Sequence, residues 1–276
     1  MRKNILCFLP LIIVTVLWNF QVHAEMRPVK KIRAGIPPFS VIGKIIQSNQ
    51  KAVHQESKRS KKRNNAPFFT WLTDTDASIQ PHFLLSSNDG KIYTVRNIGN
   101  QLELSSGAVD YGILSMHTPV LMITSNTDNQ SVSQFMTGYQ QLSPEAQTQF
   151  EGLKNALGEP GKFKEGKTAD FDEQLLTNIE KNIDFQVAQA ISRYEKRIVT
   201  GRLVVVGSIL DLDNQYGRGE GRLILINVNG ETNAEGLHKM QIMTQIPPEL
   251  VNSYVGRERQ QKRHRNPARE PARINH

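Results

Sequence analysis

The chain has 276 residues, with 38% apolar and 22% charged residues, a formal net charge of +8 and a single cysteine. That length and apolar content exclude a broadly disordered chain and leave room for a sizeable core. One cysteine excludes an intramolecular disulfide framework and any intact zinc site that needs two thiolates.

Residues 1–24 read as a secretory signal. Arg2 and Lys3 supply the positive start, Ile5 to Trp18 is an apolar run broken by Pro10, and Val22-His23-Ala24 offers a cleavage site before Glu25. The run is shorter than the ~20 residues of a spanning helix, which disfavours a retained anchor. The expected location is therefore periplasmic or secreted. Cys7 lies inside the signal, so the mature chain would hold no cysteine, and it sits too early to be a lipoprotein attachment site.

Residues 25–38 form a polar lead-in with Pro28, Pro37 and Pro38, before an expected domain over 39–235. Ser40 can cap a helix whose face carries Val41, Ile42, Ile45 and Ile46. The basic run Lys58 to Arg63 ends it. Strands are predicted at Phe68–Leu72, Lys91–Val95 and Pro119–Thr124, with a turn at Asn88-Asp89-Gly90 and a helix over Ser106–Met116. A mainly helical stretch covers 130–198, interrupted near Gly158–Gly161. Its last part places Ile179, Ile183, Val187 and Ile191 at helical spacing. Strands at Leu203–Leu210 and Leu223–Ile226, joined across Gly217, Gly219 and Gly221, read as an antiparallel hairpin. The pattern predicts an α/β fold: a mostly parallel sheet with flanking helices and a C-terminal antiparallel edge strand. Residues 236–256 form a C-terminal extension. Residues 257–276 read as a disordered basic tail carrying Arg257, Arg259, Lys262, Arg263, Arg265, Arg269 and Arg273. The tail could dock on an anionic surface. Nucleic acid is disfavoured, because neither basic run is interleaved with the aromatics that stack bases.

Ligands of open α/β sheets gather at the carboxyl ends of the parallel strands. Here those ends are Leu72–Asp76, Arg96–Asn100 and Thr124–Asn129. Asp74, Asp76, Asn126, Asp128 and Asn129 make an oxygen-rich set that a hard cation could use, although no dedicated metal loop is present. The simpler reading is a polar cleft in which Asp74 accepts from nearby backbone N–H groups and Asp128 caps the following helix. His54, His82, His117, His238, His264 and His276 form no ligand pair. No nucleophile elbow surrounds Ser105, Ser106 or Ser125. The glycines of the hairpin turn are not a phosphate loop.

Five segments, in order, resemble the β-class carbonic anhydrases. Gly90 to Asn100 (GKIYTVRNIGN) resembles that family's strand followed by R-N-x-G-N. Leu72-Thr73-Asp74-Thr75-Asp76 stands where the family has C-x-D-S-R. Gly107 to Leu114 is similar to its S-x-E-Y-A-V helix. Pro119–Asn129 lies over the strand ending in G-H-x-x-C, and Gly201–Gly207 with Asp211 over its closing strand. The resemblance implies a zinc site of two Cys and one His, supported by an Asp–Arg pair. It assigns those ligand positions to Leu72, Asn126 and Asn129, the retained Asp to Asp74 and the Arg position to Asp76. It gives the loop of Arg96, Asn97, Gly99 and Asn100 a mainly structural role in the cleft. All three ligands are thus replaced, and a side-chain amide is a weak neutral ligand for Zn²⁺. No cofactor and no metal are expected. The resemblance also implies a homodimer in which the N-terminal helix packs on the partner, with a heteromer with an active relative as a further possibility. The expected function is an exported, catalytically inactive binding or scaffold protein. The alternative is a carbonic anhydrase hydrating CO₂ with an altered metal site, in which Asp74 would be catalytic.

Overall fold

A computed structural model describes residues 46, 47, 50, 67–85, 90–160, 163 and 169–259. The chain divides into two compact units, Met1–Ser60 and Lys61–His276. Within the first, Ile46, Gln47 and Gln50 are helical and exposed, inside the span of the helix expected from Ser40. Val41, Ile42 and Ile45, like the Asn88-Asp89 turn, lie outside the described residues.

The second unit is built on a five-stranded sheet in the order β2-β1-β3-β4-β5. The strands are β1 (Phe69–Asp74), β2 (Ile92–Asn97), β3 (Val120–Asn126), β4 (Val204–Asp211) and β5 (Arg222–Val228). β1 runs parallel to β2 and β3, β3 runs parallel to β4, and only β5 is antiparallel, against β4. This is the expected mostly parallel sheet with an antiparallel edge. Each of the first three strands runs two residues further than its apolar pattern, ending at Asp74, Asn97 and Asn126.

The helices are α1 (Ser106–Asp110, continued by a π-helical turn over Tyr111–Ser115), α2 (Gln130–Thr137), α3 (Pro144–Glu151), α4 (Lys154–Leu157), α5 (Ala169–Val199), α6 (Ala234–Lys239) and α7 (Pro248–Tyr254). α5 is the main cover of one sheet face. Its inward positions Ile179, Ile183 and Val187 are fully buried in one core with Leu72, Val95, Ile123 and Val205. Asp170 and Asp172 lie in its first turn and Lys196 and Arg197 in its last, which suits the helix dipole. Val206, next to Val205 on β4, belongs to a second core with Val228, Leu237, Met243, Val251 and Val255. Alternation along a strand puts these two cores on opposite faces of the sheet. The segment after 235 therefore packs as the second cover of β4 and β5. Among the described residues no helix is long and apolar enough to cross a membrane.

Gly207 sets how closely α5 approaches the sheet. A Cβ there would lie 2.5 Å from Ile183 Cγ2, 3.0 Å from Val187 Cγ2 and 3.1 Å from the Cβ of Asn227. Gly207→Ala should therefore overpack this face and lower stability by about 1–3 kcal/mol. A denaturation midpoint equal to the parent's would refute the tight approach.

Candidate functional site

β1, β2 and β3 bring their polar ends to one edge of the sheet, and the residues singled out there form a closed hydrogen-bond network. Leu72 is not part of it. Its side chain is fully buried in the apolar core, its backbone in register with Val95 and Ile123.

Asp74, also fully buried, accepts from four donors. Oδ1 takes Asp76 N–H at 3.1 Å, Thr75 Oγ1 at 3.2 Å and Ser131 Oγ at 2.9 Å, and Oδ2 takes Gly99 N–H at 2.7 Å. This carboxylate ties the end of β1 to the loop after β2 and to the first turn of α2. The tie requires glycine at 99, where φ is +74° and a Cβ would stand 2.6 Å from Leu153 Cδ2.

The two asparagines at the end of β3 engage the same region. Asn126 Nδ2 donates to Ser78 Oγ at 3.0 Å and Asp76 Oδ2 at 3.3 Å. Asp76 Oδ1 in turn accepts from Ser78 N–H and Oγ. Asn129 Nδ2 donates to Ser125 Oγ at 2.9 Å and Asn126 Oδ1 at 3.3 Å. Asn129 Oδ1 accepts Val132 N–H at 2.7 Å, so Asn129 is the N-cap of α2. This corrects the expectation that Asp128 caps that helix. Asp128 is exposed and lines a small crevice with Asp172 and Asp213. The reason is geometric: Asn129 stands three residues before Val132, within the reach of a capping side chain.

Arg96 and Asn97 shape the loops. The Arg96 guanidinium donates to Ile79 O and Asp76 O and lies 5.6 Å from the Trp71 ring. Asn97 accepts Gln101 N–H and donates to Gln101 O and Ser105 Oγ. Behind the loop, Asn182 on α5 donates to Gly99 O at 2.9 Å and to Asn100 Oδ1 at 3.2 Å. Gln186, one turn on, accepts Leu102 N–H and donates to Asn182 Oδ1. Ser78, Ser131, Asn182 and Gln186 were not anticipated. Asn182 and Gln186 did leave a signal: two amides stand on the apolar stripe of α5, between Ile179, Ile183 and Val187.

The side chains that could have formed an oxygen-rich cation site are arranged otherwise. Asp74 and Asp76 are occupied by protein donors, Asn126 turns its NH₂ rather than its oxygen toward Asp76, and Asp128 is elsewhere. Among the described residues no group of three or more His, Cys, Asp or Glu side chains could hold a metal ion. His82 stacks near Phe83, His117 is exposed in a left-handed conformation, and His238 faces Val255 O. The zinc site that the resemblance implies takes anionic sulfur and neutral imidazole nitrogen. Leu72 supplies neither, Asn126 and Asn129 have their amides committed, and one cysteine cannot provide two thiolates. The residues assigned to the ligand positions do not fit the group.

A separate cluster lies on the outer side of α1. Asp110 pairs with the Arg193 guanidinium and accepts from Tyr194 Oη at 2.7 Å. The Arg193 hydrogen bonds hold the Asp110 carboxyl below its usual range, while burial and the contact with Asp110 push the Tyr194 phenol up. Asp110 titrates lower in the folded chain than in the unfolded one. Its contribution to stability is therefore complete above the unfolded aspartate pKa of about 3.9 and is lost as pH falls through the lower folded value. Asp110→Asn should flatten the acid limb of the stability profile. An acid limb identical to the parent's would rule out the pair as its cause.

Residues 69–218 match the family model described as carbonic anhydrase. That span is more than half of the chain, and the chain belongs to the carbonic anhydrase family. Its fold is similar to that of solved β-class enzymes. A tetrameric β-carbonic anhydrase from Sordaria macrospora is 13% identical, with 68% of this chain and 97% of that one covered at a TM-score of 0.56. The β-carbonic anhydrase CafA of Aspergillus fumigatus is 19% identical, covering 78% and 95% at 0.51. A Coccomyxa β-carbonic anhydrase in complex with acetazolamide is 14% identical, covering 75% and 92% at 0.51. At these identities the likeness is one of fold. No match is found among curated protein sequences.

Proposed function

We propose that this chain is an exported, catalytically inactive member of the carbonic anhydrase family that serves as a binding or scaffold protein. One observation carries the reading. At the positions the resemblance assigns to zinc ligands stand a core leucine and two buried asparagines whose amides are already hydrogen-bonded. The family's activity depends on a metal that lowers the pKa of bound water, and the donors for that metal are not in this set. Asp74, the one residue retained from the family's acid–arginine pair, acts here as an anchor between β1, the Gly99 loop and α2.

The protein is proposed to act as a homodimer in the periplasm or outside the cell. Ile46, assigned to the apolar face of the N-terminal helix, is 65% exposed, as a side chain awaiting a partner surface would be. Stopped-flow CO₂ hydration by the purified mature protein, with zinc supplied and then chelated, tests the catalytic part. The expected rate equals that of buffer in both conditions. A rate that chelation abolishes would establish the alternative, an active lyase.

A further inference from the structure

β5 is an edge strand, and its outer backbone groups would ordinarily be open to pairing with another chain. At Leu225 and Ile226 they are engaged by the protein's own C-terminal segment. Val255 forms a parallel bridge with Leu225, and Gly256 N–H donates to Leu225 O at 2.9 Å. The Arg257 guanidinium donates to the next carbonyl, Ile226 O, at 3.1 Å. At the end of the strand, Val228 and Glu231 exchange backbone hydrogen bonds and close the last position.

The strap is clamped from both sides. Arg257 makes hydrogen bonds to both carboxylate oxygens of Asp184 at 3.1 Å and lies 3.6 Å from Glu180, both on α5. Arg218, whose side chain is 6% exposed, donates to Val255 O at 2.8 Å and Glu258 O at 3.0 Å. Val251 and Val255 sit in the apolar core of that face, and Arg222 stacks over Tyr254 at 5.1 Å. Gly256 has φ of +97°, a conformation that lets the chain turn from α7 onto the edge.

We propose that residues 255–258 are an edge guard: they keep β5 from pairing with β5 of a second copy of this chain, and so limit the size of the assembly. A second copy is the partner the edge fits, because two antiparallel copies of Arg222–Val228 offer each other the same backbone pattern, and strand pairing needs no side-chain complementarity. The proposal is independent of whether the protein is catalytic.

Sedimentation equilibrium on three proteins tests it: the full mature chain, a chain ending at Glu258, which keeps the strap, and a chain ending at Tyr254, which lacks it. The expected result is a mass for the Tyr254 chain that rises with concentration to twice that of the other two, which stay alike. Equal masses for all three would overturn the proposal. So would a rise in both shortened chains, which would assign the effect to the residues after Glu258. If the Tyr254 chain does not fold by near-ultraviolet circular dichroism, full-length Gly256→Pro decides. That variant removes the N–H bonded to Leu225 O and cannot hold the positive φ. Doubling of its mass supports the guard, and an unchanged mass refutes it.

Discussion

Asp74→Ala is expected to lower the unfolding free energy by about 3–5 kcal/mol, among the largest losses any single substitution in this chain would cause. The carboxylate is fully buried and accepts from Gly99 N–H, Asp76 N–H, Ser131 Oγ and Thr75 Oγ1. Removing it strands the Gly99 and Ser131 donors without water to replace the lost acceptor, at about 1–3 kcal/mol each. It also unties three elements at once: β1, the Gly99 loop and α2. Asp74→Asn keeps the shape but sets an NH₂ against donors, and should cost about 2 kcal/mol. Urea titration reads both losses as shifts in midpoint at constant slope. A catalytic Asp74 predicts the opposite pattern, an intact fold with activity gone. An Asp74→Ala protein as stable as the parent would remove the anchoring role.

Restoring the ligand set is the second large effect. Leu72→Cys, Asp76→Arg, Asn126→His and Asn129→Cys together should make the fold depend on zinc. Without metal the variant loses core volume at position 72 and the Asn129 cap of α2, worth about 1 kcal/mol in such positions. It also loses the Asp76 acceptor for Ser78 and Asn126. Its thermal midpoint should fall below the parent's. Zinc at a thousand times its dissociation constant should then raise stability by about 4 kcal/mol, reversed by chelator, while the parent's midpoint stays unmoved. A folded variant whose stability is unmoved by zinc would contradict this expectation.

The sheet was legible in the sequence because β-branched and aliphatic runs mark each strand's buried part. The strand ends were not. β1, β2 and β3 continue through Asp74, Asn97 and Asn126, where side chains turn polar because they reach the cleft. A hydrophobic pattern stops where the site begins. The choice between Asp128 and Asn129 as cap was equally hidden, since both residue types favour that position and only the reach to Val132 N–H separates them. The packing of 234–256 is not legible in the sequence for another reason. Its inward residues, Leu237, Met243, Val251 and Val255, come from two short helices and the turns between them and follow no single period. Arg257 reads as part of a basic tail, yet it is docked on Asp184 and Glu180, and no local pattern shows this because those partners lie 73 and 77 residues upstream on α5. What composition did reveal was decisive for chemistry. A single cysteine, placed at position 7, excludes a two-thiolate site however the chain folds.

The central claim is that the positions the resemblance assigns to zinc ligands hold a core leucine and two asparagines whose amides are already hydrogen-bonded. Native mass spectrometry of the mature protein, after incubation with zinc and removal of loosely bound ions, tests it most directly. The account predicts the mass of the polypeptide alone. A mass increased by one zinc ion per chain would contradict it.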